Sequence, residues 1–105
     1  MSDFCVILCT CPSMSSARDI AYHAVESKLA ACVNIIPGMV SIYRWEDKVN
    51  QEQECQVVIK TKKVLEAELR DSLLALHPYD LPEWVVLEVL GASDEYADWL
   101  RKSIK

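Results

Sequence analysis

Apolar residues fall along this chain in short runs separated by stretches of helical spacing, and that alternation sets the expected architecture. Residues 4–10 form an apolar run, as in a strand buried on both faces. Cys11-Pro12-Ser13 breaks it. Ala17, Ile20, Ala21, Ala24 and Val25 then recur on one helical stripe, with Arg18, Asp19, Glu26 and Lys28 off it, predicting a helix to about Ala31. Ser16 with Asp19 suits its start, and Ser13 is the other candidate cap. A second strand begins at 32–36, pauses at Pro37-Gly38 and resumes over 39–45, while the polar stretch 46–53 reads as a hairpin connection. Residues 54–61 make the third strand. Leu65, Leu69, Leu73 and Leu76 mark a second helix, and residues 85–90 a fourth strand. Gly91 ends that strand. Ser93 or Asp94 caps a short last helix whose inner face is Tyr96, Trp99, Leu100 and Ile104.

This order is βαββαβ plus a C-terminal helix, the split arrangement of an α+β ferredoxin-like sandwich. Right-handed crossovers place both main helices on one sheet face and give the spatial strand order 4-1-3-2. The topology has a consequence for function. The end of strand 1 at Cys9–Cys11, the end of strand 2 at Trp45 and the loop before strand 4 all fall at one end of the sheet. The strands are also apolar on both faces, since Met39, Val40, Ile42, Tyr43, Trp45, Val57, Val58 and Ile59 cannot all meet the helices. An uncovered apolar face on a small domain points to association, here with copies of the same chain.

Composition narrows the class. With 105 residues, 51% hydrophobic and only two glycines, the chain suits one globular domain over 1–105. Its net charge of −5 and the absence of any basic stripe beyond Lys60, Lys62 and Lys63 argue against nucleic acid as a partner. No run approaches the ~18 apolar residues of a membrane span. The five cysteines are an odd number, three of them at 5, 9 and 11 in one strand, and read as reduced thiols of a cytoplasmic protein.

The most unusual stretch is His77-Pro78-Tyr79-Asp80-Leu81-Pro82-Glu83-Trp84. Two prolines stiffen a loop that carries an imidazole, a phenol and two carboxylates. With Cys9 and Cys11 brought to the same end, Cys9, Cys11, His77 and Glu83 are the candidate metal ligands, thiols favouring soft or borderline ions. The competing role for the thiols is packing, as free cysteines usually serve, and for His77 a polar helix end. Tyr43, Trp45, Tyr79 and Trp84 suit interface anchors. Lys60 suits an anion or a carboxylate such as Asp80. A thiol enzyme using Cys9 or Cys11, His77 and Glu83 is the second class. A sensor of a small anion or nucleotide is the third, without a glycine-rich phosphate loop to support it.

Several motifs taken together carry a family resemblance. Leu29-Ala30-Ala31-Cys32-Val33-Asn34 with Pro37-Gly38, Ser41-Ile42-Tyr43-Arg44-Trp45 with Lys48, Ile59-Lys60-Thr61, and His77-Pro78-Tyr79 with Pro82-Glu83 resemble the CutA divalent-cation tolerance family. Tyr96 with Trp99 fits its closing helix. The resemblance implies a homotrimer with extended hairpins, similar in architecture to the PII signalling proteins, with no firmly attached enzymatic activity. It also implies binding of copper or another divalent ion, carried by Cys9-Thr10 and His77. The chain departs from the pattern at Asp47, where glycine is common, at Leu76, where some relatives have a second histidine, and at Cys11, an added thiol.

Overall fold

The computed structural model describes residues 2–105. Strand β1 (Phe4–Cys11) leads to helix α1 (Met14–Glu26), then β2 (Cys32–Trp45) and β3 (Lys48–Lys62). A single 3-10 turn (Lys63–Leu65) opens helix α2 (Glu66–Leu74), followed by β4 (Val85–Glu88) and α3 (Asp94–Ser103). The sheet is antiparallel in the order β2-β3-β1-β4, the order expected from the crossovers.

Register decides which side chain faces which layer, because successive residues of a strand point to opposite faces. Cys5, Ile7, Cys9 and Cys11 of β1 lie beside Thr61, Ile59, Val57 and Cys55 of β3, and all are buried. Ala17, Ile20 and Ala24 of α1 and Leu69 and Leu73 of α2 complete that core. The opposite face holds Val6, Leu8, Val58, Val85 and Leu87 by the same alternation. Helix α3 crosses only its Phe4 end, where Arg101 sits 5.2 Å from the Phe4 ring centre and Lys60 lies beside Tyr96. The rest of that face is open in the single chain.

Four boundaries differ from the sequence reading. Helix α1 is capped by Ser13, whose hydroxyl accepts from the Ser16 N–H at 3.2 Å, and it stops at Glu26 rather than near Ala31. Lys28 takes a left-handed φ of 62°, and the N–H groups of Leu29 and Ala30 both turn back to the Ala24 carbonyl. Leu29, Ala30 and Ala31 are buried as a non-helical tail, so their apolar character reflects the core and not a helical stripe. Leu76 lies beyond α2 and is exposed. Strand β4 ends at Glu88, and Leu90 is exposed. In α3 the buried residues are Ala97 and Leu100, with Ile104 just past its end, while Tyr96 and Trp99 pair on the outer side at 5.4 Å.

The hairpin is the largest difference. Pairing continues to Trp45↔Lys48, so only Glu46 and Asp47 turn, and most of the stretch 46–53 is strand. Both turn residues have positive φ, 50° and 64°, the type I′ pattern whose twist matches the flanking strands. Aspartate tolerates the left-handed region better than most residues, which lets Asp47 stand where glycine is common. At the base, the register shifts between Ile36 and Met39, and Gly38 takes φ 73°. That bulge needs glycine's freedom. The arm reaches past the helices, giving an extent of 45 × 25 × 23 Å. Both its faces are therefore wet in one chain, and the apolar alternation that would mark a strand is lost.

Candidate functional site

The projecting arm and the proline-bounded loop form the walls of a groove of about 780 Å³. Register places Ser41, Tyr43, Trp45, Asn50, Glu52 and Glu54 on one face of the arm. Thr10 and residues 79–83 close the other side. The ends of β1 and β2 and the loop before β4 thus meet, as the topology requires.

His77 fixes the loop. It is buried at the end of the core, with Nε2 2.7 Å from the Thr10 carbonyl oxygen. Its Nδ1 accepts the Tyr79 backbone N–H at 3.0 Å. Since Nδ1 accepts, the ring proton sits on Nε2, which donates to Thr10. The ring thus ties the loop to β1 and sets the turn that aims Tyr79. The Tyr79 hydroxyl donates to Glu54 Oε2 at 2.8 Å, so the loop is also fastened to β3.

Burial, and next the bond to Glu54, push the Tyr79 phenol up from its ordinary range. The nearby Glu52 carboxylate does the same to Tyr43. For Tyr79 the folded-state pKa lies above the unfolded value of about 10. Its contribution to stability is therefore fully present below about pH 10 and is lost as pH rises through the folded-state value. In an absorbance titration, Tyr79→Phe will remove a phenolate step lying above the ordinary tyrosine range. An unchanged high-pH step in that variant would contradict the assignment.

Cys9 and Cys11 share the helix-facing side of β1 and are both buried. The neighbouring Cys11 thiol, with burial adding to it, holds Cys9 far above the usual thiol range, and the Cys9 thiol itself donates to the Thr10 carbonyl at 3.8 Å. The Cys9 thiol in turn pulls Cys11 down against burial. Cys11 Sγ is 3.8 Å from His77 Nε2, but that nitrogen already carries the proton given to Thr10. The imidazole is thus not placed to accept a proton from Cys11, and Glu83 is not the group on Nδ1. The geometry does not assemble a Cys-His-acid relay.

The remaining candidates separate. Glu83 and Asp80 line the groove and are exposed. Trp84 turns away, its Nε1–H donating to Glu66 at 2.9 Å. Lys60 approaches the Tyr96 hydroxyl at 3.5 Å and does not line the groove. Glu52 and Glu54, which sequence reasoning passed over, complete the lining. A two-residue turn at 46–47 was the signal that would have placed them, since it fixes their face together with Tyr43. With Glu52, Glu54, Asp80 and Glu83 around it and no lysine or arginine in its lining, the groove is unsuited to a small anion. Nor does a single chain hold a ready metal cage. Both ring nitrogens of His77 are engaged, and among the described residues no three His, Cys, Asp or Glu side chains are close enough to share an ion.

A ferredoxin-like protomer with a projecting arm, a histidine-anchored loop beside an acidic groove and an open apolar sheet face is thereby defined. The chain belongs to the CutA1 divalent ion tolerance protein family, whose model matches residues 5–103. It is 47% identical over 98 residues to the divalent-cation tolerance protein CutA of Thermus thermophilus, covering 93% of this chain and 95% of that protein. It is 41% identical over 100 residues to the chloroplastic protein CutA of Arabidopsis thaliana, covering 95% of this chain and 55% of that one. The crystal structure of CutA from Xylella fastidiosa superposes with a TM-score of 0.96 at 42% identity, covering 99% of this chain and all of that one.

Proposed function

We propose that this protein acts in divalent-cation tolerance as a homotrimer, binding copper or another divalent ion and performing no catalysis. The observation that carries this reading is the family match along residues 5–103, with relatives named for divalent-cation tolerance. The open face of Val6, Leu8, Val58, Val85 and Leu87 supports assembly, since an apolar sheet face is stable in water only when covered. In this reading the ion lies at the Cys9/Cys11/His77/Glu83 end of the sheet. To ligate it, His77 would have to give up Thr10 or the Tyr79 N–H, so the thiols and Glu83 are the first choice within this chain. Tyr43, Trp45 and Asp80 line the groove and serve there as contacts to the neighbouring subunit. The cytoplasm, a reducing compartment, suits five free cysteines.

Growth under copper challenge tests the function. A host lacking its own member of the family and supplied with this chain should tolerate more copper than the empty host. Cys9→Ser with Glu83→Gln should remove the gain at equal protein level. A host no more tolerant with abundant, folded protein would overturn the reading.

A further inference from the structure

The thiol of Cys11 has a second neighbour that the metal reading does not use. Cys11 and Cys55 are direct partners across β1 and β3. Their ladder continues at Asp3, whose carbonyl accepts the Lys63 N–H at 2.8 Å, and counting in twos from that bonded pair makes Cys11 and Cys55 a bonded pair as well. Such partners have Cα atoms about 5.5 Å apart, inside the roughly 4.4–6.8 Å window that a disulfide spans, and their Cβ atoms, about 5.5 Å apart in a bonded pair, must draw in by about 1 Å for the bond to close. Both side chains face the same layer, and both are buried, at 0% and 5% exposure.

We propose that Cys11 and Cys55 form an oxidisable thiol pair that closes to a disulfide across β1 and β3 when the protein meets hydrogen peroxide. Of the other thiols in the chain, that of Cys9 lies beside Cys11 and is the competing partner. Cys9 lies opposite Val57 and Cys5 opposite Thr61, so neither has a cross-strand thiol. Cys9 and Cys11 are two residues apart along one strand, about 6.6 Å at the usual rise, near the far edge of the window. Cys32 is partly exposed and lies opposite Lys60.

The chemistry balances with one peroxide. The Cys11 sulfur attacks a peroxide oxygen, the O–O bond breaks, and a sulfenic acid and one water result. The Cys55 sulfur then attacks the Cys11 sulfur. The S–S bond forms, the S–O bond breaks and a second water leaves with the remaining thiol proton. Two electrons pass from the sulfur pair to the peroxide. Because both thiols are buried, peroxide reaches them through opening of the end of β1, where Pro12 and Ser13 leave the sheet. The cross-link would join the residues adjoining Thr10 and Glu54, the two anchors of the His77 loop. Oxidation would thereby clamp the floor of the groove.

The test is a peptide map of the full-length, chelator-treated protein after peroxide, with remaining thiols alkylated before digestion without reductant. Cleavage after Arg18, Lys48 and Lys60 puts Cys5, Cys9 and Cys11 in one peptide and Cys55 in another, and fragmentation of the linked pair tells which of the three is bridged. The expected result is the peptide ending at Arg18 linked to residues 49–60, two hydrogens lighter than the pair, with loss of alkylated Cys55. The link should survive Cys9→Ser and vanish in Cys55→Ser. In a mixture of light and heavy isotope-labelled protein, it should join peptides of one label only. A bridge to Cys55 from Cys5 or Cys9, a bridge confined to the Arg18 peptide, a bridge between labels, or full alkylation of Cys11 and Cys55 would each overturn the proposal. The wild-type map is decisive even if a variant fails to fold.

Discussion

Leu8→Arg will convert the assembly into single chains, with mass falling from about 36 kDa to 11.9 kDa in a sedimentation measurement. Leu8 sits in the centre of the helix-free face, with Val58 of β3 and Val85 of β4 as its register partners. Placed there in a closed interface, an arginine would have no partner, and an unpaired buried charge costs several kcal/mol. In the separated chain the same arginine faces water, so the subunit stays folded with unchanged far-ultraviolet dichroism. The contrast separates an interface residue from a core residue. Leu69, fully buried in the helix-side core, would instead unfold the subunit on the same change. If Leu8→Arg leaves the mass unchanged, the helix-free face is not where the copies meet.

The second large effect is expected at His77. In His77→Leu the Thr10 carbonyl loses its ring donor and the Tyr79 N–H its ring acceptor. Each buried group left without a partner costs about 1–3 kcal/mol. Stability in urea should therefore fall by roughly 2–5 kcal/mol in total, allowing for partial access of water. The loss should be shared with Tyr79. Once the loop is released, the Tyr79 hydroxyl no longer meets Glu54 reliably, so Tyr79→Phe will cost less in the His77→Leu background than in the parent. Independent, additive costs in that double-mutant cycle would mean that the histidine does not position the tyrosine.

These two residues mark the difference between what was readable in the chain and what was not. The strand order and the meeting of Cys11, the arm and the His77 loop followed from hydrophobic periodicity and crossover handedness, both properties of the backbone. The role of His77 did not. A histidine beside a thiol suggests a ligand or a base, and only the positions of the Thr10 carbonyl and the Tyr79 N–H show both ring nitrogens already engaged. The groove was half legible for a related reason. Tyr43, Tyr79, Asp80 and Glu83 stand out as residue types, whereas Glu52 and Glu54 matter through register, which depends on the length of one turn. The arm itself was misread as a connection because residues 48–53 lie beyond the helices. A strand wet on both sides has no burial to write an alternating pattern. Leu29, Ala30 and Ala31 erred the other way, since buried coil and buried helix draw on the same residues.

The most direct test of a metal-binding trimer is native mass spectrometry of the reduced protein, alone and with copper or zinc, because subunits and ions are counted in one spectrum. The expected species lies near 36 kDa, three chains of 11.9 kDa, gains up to three ions and loses them in Cys9→Ser with Glu83→Gln while staying trimeric. A single-chain species at 11.9 kDa, or a trimer that takes up no ion from either metal, would contradict it.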